Sequence, residues 1–333
     1  MISLISTVLN EGESIRPLME SLTRQTRQPD EVVIVDGGSA DDTVAIMNEY
    51  AGRIPLRVLI EAGCNISEGR NRAIEAAQGD IIAVTDAGVV LDNAWLERLT
   101  RPLSDIPDQQ VVAGFFHADA HTPFEVALGA TTLPLHSEIN PATFLPSSRS
   151  VAFRKSAWRQ VGGYPEWLDY CEDLVFDLQL KQLGPFALAL DAVAHFRPRS
   201  SLKSFFRQYY LYARGDGKAD LWRKRHIIRY GTYLVAAPLI FALGAAVHPL
   251  LWVLILPGAA GYLSAPYRRL PSVMHSGPHL SSWERLQVLA LIPVIRVVGD
   301  VAKMLGYPAG WRWRLQQDPP EWRAVSASTS RYS

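Results

Sequence analysis

The chain has 333 residues, which is enough for one large domain or two modest ones with ample core. Lysine and arginine together number 33, as do aspartate and glutamate, so the formal net charge is zero. This balance gives no electrostatic basis for a nucleic-acid partner. The charges are spread unevenly, because acids gather in the first half while segments 197–229 and 296–331 are basic.

Apolar runs in the first half of the chain end at acids and small residues. The run 2–8 stops at Asn10 and Glu11, a second stops at Asp36, and a third stops at Asp86. Segments with helical spacing of apolar residues lie between them. This alternation predicts an open α/β sheet, mostly parallel, with its ligand at the carboxyl ends of the strands.

The predicted elements follow in chain order. Strands are predicted at 2–8, 31–35, 56–60, 80–85, 111–115 and 186–193, and helices near 15–22, at 42–50, after Ser67 and from Asp92 to Leu99. Ser67 and Asp92 have the residue types that cap helix N-termini. Neither G-x-G-x-x-G nor G-x-x-x-x-G-K-[ST] occurs, so a nucleotide would be bound by another route.

A long uncharged stretch follows the predicted sheet. Tyr233–Leu263 comprises 31 residues without Asp, Glu, Lys or Arg, more than the roughly 20 needed to cross a bilayer once. His248 and Pro249 mark a turn near its middle. We therefore predict a membrane hairpin over 228–265, with helices at 228–247 and 249–265. Basic residues flank both ends, which predicts that both ends are cytoplasmic; the alternative is a buried helix pair in a soluble protein.

A later apolar segment, 286–305, is interrupted by Arg296, Asp300 and Lys303. Charges at membrane depth are costly, so this segment is predicted to lie at the membrane surface rather than to cross it. The resulting division is a catalytic domain at 1–220, a membrane hairpin and interfacial helix within 221–315, and a polar tail at 316–333, disordered from Val325 onward.

Five motifs occur in order across residues 2–184. They are STVLNEGESI, VIVDGGSADDT, GRNRAIEAAQGDIIAVTDAG, SVAFRKSAWRQVGGY and CEDLVFDLQLKQLG. Each is weak alone, but together they resemble the family 2 glycosyltransferases, which have the GT-A fold. The resemblance implies an open mixed, mostly parallel sheet flanked by helices, followed by a C-terminal membrane-associated helical region.

The resemblance also implies a nucleotide-sugar site. In the family the acid matching Asp36 contacts the base, and Thr7 and Glu11 would line the same crevice. Arg70, on the next predicted helix, would offer bidentate donors to the diphosphate. Each has a plainer interpretation: a turn-forming residue for Asp36, a helix N-terminal acid for Glu11, and a solvated helix face for Arg70.

Asp86, Ala87 and Gly88 occupy the place of the family's D-x-D motif, which holds a divalent metal against the donor phosphates. Glycine at the third position removes one ligand, so dependence on Mg²⁺ or Mn²⁺ is in question while the nucleotide site is not. Asp86 remains, to hold either the ribose of the nucleotide-sugar or the metal. His195 follows a predicted strand and is the further metal ligand that the resemblance suggests. The alternative is an ordinary histidine at a strand end.

Two acids and two cations complete the predicted site. Inverting glycosyl transfer needs a base to take the acceptor hydroxyl's proton. The resemblance assigns that role to Asp173, with Glu172 in support; the alternative is a helix N-terminal acid pair. Arg214 and Lys218 match an element that closes over the donor diphosphate, or belong to an amphipathic helix on lipid phosphates.

The predicted function is inverting transfer of a sugar from a nucleotide-sugar to a membrane-linked acceptor, as in envelope polysaccharide or glycolipid assembly. The catalytic domain would lie on the cytoplasmic side of the cell inner membrane, with no nucleic-acid partner. The alternative, prompted by Gly88, is a catalytically silent nucleotide-sugar-binding subunit of a membrane polysaccharide assembly.

Overall fold

A computed structural model describes residues 1–323, so most of the predicted tail, including Val325 onward, lies outside the described residues. The described chain forms two compact units. The first comprises 1–117, 136–196 and the described residues from 320; the second comprises 118–135 and 197–319. Residues 197–220 therefore belong to the second unit, whereas the sequence prediction assigned them to the catalytic domain.

The first unit contains a mixed sheet. Its strands are β1 (Ile2–Val8), β2 (Glu31–Asp36), β3 (Leu56–Ile60), β4 (Ile81–Val84), β5 (Val89–Leu91), β6 (Val111–Ala118), β7 (Val151–Arg154) and β8 (Ala187–Phe196). Their order is β3-β2-β1-β4-β7-β6-β8-β5. Strand β1 pairs in parallel with β2 and β4, and β2 pairs in parallel with β3. Strand β7 is antiparallel to β4 and β6, and β5 is antiparallel to β8.

The predicted mixed sheet is thus confirmed. Strands β5 and β7, which have three and four residues, were not predicted from the sequence. Strands so short show too little alternation or apolar length to be recognised from periodicity. Both are antiparallel, so the sheet is less parallel than the strand–helix alternation suggested.

Helices cover both faces of this sheet. They are α1 (Arg16–Thr23), α2 (Thr43–Asn48), α3 (Ile66–Ala76), α4 (Trp95–Asp105), α6 (Lys155–Val161) and α7 (Glu172–Leu180), where α5 is a helix of the second unit. Val32 and Ile34 belong to one buried cluster, and Val33 and Val35 to another. Successive side chains of a strand point to opposite faces, so both faces of β2 are buried. This burial explains the unbroken apolar run in its sequence.

Two predicted helix caps are wrong. Asn65, not Ser67, caps α3: its side chain accepts from the backbone N–H groups of Ser67 and Glu68, at 2.9 and 3.0 Å. Glu68 completes a capping box by accepting from the Asn65 N–H at 2.7 Å. Asp92 does not cap α4, which begins at Trp95.

The second unit is helical. Its helices are α5 (Pro123–Thr132), α8 (Leu202–Ala219), α9 (Arg223–Gly231), α10 (Ala237–Ala246), α11 (Ile255–Ser276) and α12 (Ser282–Gln317). A π-helical turn, Thr232–Ala236, joins α9 to α10, and a 3₁₀ turn, Pro249–Leu254, leads into α11. The result is two helical runs, Arg223–Ala246 and Pro249–Ser276, connected through Val247 and His248.

These two runs coincide with the predicted hairpin, and they are longer than predicted at their outer ends. They have 24 and 28 residues, long and apolar enough to cross a membrane by length and composition alone. Only 6% of the most apolar stretch of each is buried. The core helices of a soluble protein would be mostly buried, so the exposure favours membrane association.

The predicted surface helix at 286–305 is part of α12, which has 36 residues. Its buried residues include Val288, Ile292, Ile295, Gly299 and Ala302, spaced as one helical face. That face packs against α5 and α8. The segment is therefore part of a longer helix that packs on one face within the second unit, and its predicted position at the membrane surface stays a prediction.

Candidate active site

Two acids flank the carboxyl end of β1. Asp36 is the last residue of β2, and Asp86 follows β4. Since β2 and β4 run parallel to β1 on either side of it, their carboxyl ends meet at one edge of the sheet. The sequence prediction of a polar crevice at this edge agrees with the fold.

A buried guanidinium ties this edge to α7. The Nη1 atom of Arg70 lies 2.7 Å from Glu172 Oε1, and its Nη2 atom lies 2.8 Å from Asp86 Oδ1. Its side chain is 3% exposed, because α3 packs across β1 and β2. The solvated-face interpretation of Arg70 is therefore wrong. One arginine thus joins the acid after β4 to the first acid of α7.

The acid pair of α7 follows a sharp turn. Cys171 has a φ of 65°, a left-handed conformation that directs the chain into the helix. Glu172 is buried, and burial together with the nearby Asp173 charge raises its pKa to about 7. Burial likewise raises the pKa of Asp173, while the charge of Arg70 opposes the rise.

Asp173 is the better placed of the two for proton transfer. It is half-buried, and its Oδ1 atom accepts the Leu174 N–H at 2.8 Å. Within residues 1–323 its other oxygen accepts no hydrogen bond. Glu172, by contrast, is held by Arg70. The arrangement leaves one carboxylate oxygen able to accept a proton and fixes its neighbour.

Asp177, one helical turn beyond Asp173, is buried, and burial raises its pKa well above the usual range. Its Oδ2 atom has no hydrogen-bond partner in the part of the chain that is described. Burial therefore disfavours the ionised form that a general base needs, so Asp177 is a weaker candidate for the base than Asp173.

Arg149 is a site residue that the sequence analysis missed. Its Nε atom lies 3.6 Å from Asp86 Oδ2, and its guanidinium carbon lies 4.5 Å from the centre of the Phe196 ring. It stands in a loop before β7, one residue ahead of the motif that begins at Ser150. That adjacency was the only signal in the sequence. Asp86 is therefore flanked by two guanidinium groups.

The residues predicted to contact the base or line its crevice make local contacts in the structure. The Asp36 carboxylate is buried and accepts the N–H groups of Gly38 and Ser39, at 3.0 and 2.8 Å. Asp36 therefore stabilises the turn that follows β2. Its predicted contact with a base stays a prediction. Glu11 accepts from the Ser14 hydroxyl at 2.7 Å. Thr7 faces α3 so closely that a Cβ on Gly69 would lie 2.8 Å from its methyl carbon.

His195 is not brought together with Asp86. Its Nε2 atom lies 2.9 Å from Asp92 Oδ1, and its ring centre is 6.1 Å from that of His117. Phe196, the next residue along β8, packs against Arg149 beside Asp86. Neighbouring side chains of a strand point to opposite faces, so His195 points away from Asp86.

The donor set at Asp86 does not fit a divalent cation. A metal would replace one of the two guanidinium groups that flank its carboxylate, and Gly88 offers no second acid. No group of three or more His, Cys, Asp and Glu side chains in residues 1–323 could hold a metal ion. The charge beside this carboxylate is instead supplied by arginine.

Arg214 and Lys218 belong to the second unit, on α8. Lys218 is buried, with its Nζ atom 4.6 Å from the centre of the Trp313 ring. Arg214 is half-buried, and its carbonyl oxygen lies close to Gly310 of α12. Their predicted role over the donor diphosphate stays a prediction.

Comparison with known proteins agrees with this architecture. Residues 3–159 match the model of "Glycosyl transferase family 2". "Uncharacterized glycosyltransferase YibD" of Escherichia coli is 40% identical over 87 residues, covering 26% of this chain and 25% of YibD. "Succinoglycan biosynthesis protein ExoA" of Rhizobium meliloti is 29% identical over 265 residues, 75% of this chain and 78% of ExoA.

A solved structure shares the fold. Mannosyltransferase PcManGT from Pyrobaculum calidifontis, in complex with GDP-Man and Mn²⁺, is 18% identical, with a TM-score of 0.54 over 95% of this chain and 87% of PcManGT. At that identity the likeness concerns the fold alone. The family match covers β1 to β4, the predicted D-x-D position and Arg149. Residues 3–159 of this chain are a glycosyltransferase family 2 domain.

Proposed function

We propose that this protein is an inverting glycosyltransferase that transfers a sugar from a nucleotide-sugar to a membrane-linked acceptor of envelope polysaccharide or glycolipid assembly. The observation that carries the proposal is the buried Arg70, which joins Asp86 and Glu172 beside Asp173 at the sheet edge. Fixed charge next to a carboxylate with a free oxygen suits proton abstraction and stabilisation of a departing anion.

In the proposed reaction, Asp173 takes the proton of an acceptor hydroxyl. The hydroxyl oxygen attacks the anomeric carbon of the donor sugar from the face opposite the diphosphate, and the bond to the diphosphate oxygen breaks. The nucleoside diphosphate departs with the electron pair. Glu172, held by Arg70, positions the turn that carries Asp173.

Arginine, rather than a resident metal, would neutralise the leaving diphosphate. Arg149 is the first candidate, because it is part-exposed and lies beside Asp86. Arg70 is already engaged by two carboxylates, so it serves to hold them. The role that the sequence predicts for Arg214 and Lys218 on the donor diphosphate is also part of this proposal. PcManGT is in complex with Mn²⁺, so a direct test of metal dependence in this chain is required.

Membrane attachment through the two apolar helical runs would bring the site to a lipid-borne acceptor at the cytoplasmic face of the inner membrane. The exposure of both runs supports this part of the proposal. The full chain should pellet with membranes and resist carbonate extraction. Full-length protein that is soluble without detergent would disprove the attachment.

Donor turnover tests the catalytic proposal. Purified full-length protein, screened for binding of nucleoside diphosphates and their sugars, should release nucleoside diphosphate from one donor. Asp173→Asn should lower turnover at least about a hundredfold, the usual scale for losing a general base, with donor affinity little changed. Donor binding without turnover in the wild type would favour the silent binding subunit instead. Wild-type turnover in Asp173→Asn would mean that another residue is the base, and Glu172 would be the next candidate.

A further inference from the structure

One face of α12 carries three charged residues inside the second unit. Arg296, Asp300 and Lys303 are spaced at i, i+4 and i+7, so they lie along one side of the helix. The Asp300 carboxylate accepts from Arg229 Nε at 2.7 Å, from the Tyr262 hydroxyl at 2.7 Å and from the Tyr233 hydroxyl at 3.3 Å. Asp300 is thus fully engaged and links both apolar helical runs to α12.

The two flanking cations have no such partners. The Arg296 guanidinium lies 4.4 Å from the centre of the Tyr262 ring and donates to the Tyr262 carbonyl oxygen at 3.3 Å, but its buried Nε has no acceptor. The Lys303 Nζ atom lies 4.9 Å from the centre of the Tyr209 ring. Neither residue forms an ion pair with any residue from 1 to 323. Aromatic faces alone compensate a buried cation poorly.

The other charged groups near Arg296 and Lys303 do not neutralise these two cations. Arg229 is paired with Asp300, and Asp216 is paired with His226 at 3.1 Å. Burial lowers the pKa of Lys303 to about 8, and the positive charges of Arg229 and Arg296 contribute to the decrease. The cluster of Arg229, Arg296 and Lys303 therefore has more positive charge than Asp300 can neutralise.

The cation cluster lies where the chain changes from charged to apolar. Arg229 comes just before the uncharged stretch that begins at Tyr233. Apolar side chains around it are largely exposed: Ile227 is 62%, Ile228 68% and Leu234 63% exposed. In a chain attached to a bilayer, such a transition lies at the level of the lipid headgroups. The anion most available at that level is a lipid phosphate.

We propose that Arg296 and Lys303, with Arg229 beside them, bind the phosphate of an anionic membrane lipid between α8, the apolar runs and α12. The proposal rests on the membrane attachment proposed above and not on glycosyl transfer. A guanidinium can bind two phosphate oxygens at once, and the lysine adds a point charge. The lipid would supply the negative charge that the cluster lacks.

Vesicle flotation of full-length protein, reconstituted from detergent, tests the proposal. Vesicles of phosphatidylcholine alone are compared with vesicles that also contain phosphatidylglycerol. The variants are Arg296→Gln and Lys303→Gln, with Arg312→Gln as matched control, because Arg312 is an exposed cation of the same helix outside the cluster. Wild-type protein should prefer the anionic vesicles. Each cluster variant should lose about fivefold of that preference, the contribution of one surface cation, while Arg312→Gln keeps it.

Several outcomes would overturn the proposal. Equal affinity of the wild type for both vesicle types would do so, as would an equal loss in Arg312→Gln. Competition by inorganic phosphate at the concentration of the lipid phosphate would show that the cluster takes free phosphate instead. Failure to bind either vesicle type would disprove attachment itself, while donor turnover, measured in detergent, reports separately on catalysis. If a cluster variant does not fold, two experiments on the wild type still test the proposal: the comparison of the two vesicle types and the competition by inorganic phosphate.

Discussion

Replacing Arg70 by glutamine should destabilise the first unit strongly. The side chain is 3% exposed and bonds Glu172, whose side chain is 9% exposed, at 2.7 Å. Above about pH 7, where Glu172 is ionised, removing its partner leaves a buried charge uncompensated, which costs about 3–5 kcal/mol. A loss of that size should lower the melting temperature by on the order of 10 °C.

The chain contains a matched control two residues away. Arg72, on the same helix, pairs with Glu75 at 3.2 Å, and its side chain is 57% exposed. Exposed pairs contribute roughly 0.2–1 kcal/mol, so Arg72→Gln should melt close to the wild type. The double variant Arg70→Gln/Glu172→Gln should recover part of the loss, because the unpaired buried charge is then absent.

Thermal melting of the full chain in detergent, followed by intrinsic fluorescence, measures all four proteins under one condition. Nucleoside diphosphate release, measured in parallel, should fall in Arg70→Gln even below its melting transition, since Asp86 and Glu172 lose their common partner. Two results would refute a stabilising buried ion pair: an Arg70→Gln protein with the same melting temperature as Arg72→Gln, or a double variant that is less stable than Arg70→Gln.

The pKa of Glu172 is raised from about 4.5 to about 7, so its contribution to stability is complete below about pH 4.5 and is lost as the pH rises through about 7; melting temperature against pH should show this decrease, and Glu172→Gln should flatten it. Activity should increase as the pH rises, because burial also raises the pKa of Asp173, which must be ionised to act as base; a rate that does not depend on pH on the acidic side would contradict this role. Transfer should survive a chelator in the wild type, whereas Gly88→Asp, at a position with nothing within 4 Å of an added Cβ, should bind Mn²⁺ measurably by calorimetry; complete loss of wild-type activity in chelator, restored by Mn²⁺, would refute the metal-independent scheme. Gly163→Ala should lower the melting temperature more than Gly162→Ala, because both have positive φ but only the Cβ at 163 meets Asn71 Oδ1, at 2.8 Å; equal losses would show that backbone strain alone matters.

The sequence alone determined the parallel half of the sheet. Strands β1 and β3 have the predicted bounds, because their apolar runs are bounded by polar and turn residues. The order of the five motifs identified the family, and the acids at strand ends predicted the polar edge. The apolar runs were found because a stretch without charge is visible in any sequence window.

The tertiary structure decided which side chains contact each other across long separations in the sequence. Arg70 and Glu172 are 102 residues apart in the chain, and periodicity carries no information about contacts at that separation. The role of Arg149 beside Asp86, and the turning of His195 toward Asp92, depend on how β7 and β8 enter the sheet in antiparallel direction. The charges in 286–305 predicted that this segment lies at the membrane surface. In the fold they pack inward against Tyr262, Tyr209 and Arg229, because a helix face is chosen by its neighbours and not by its own sequence alone.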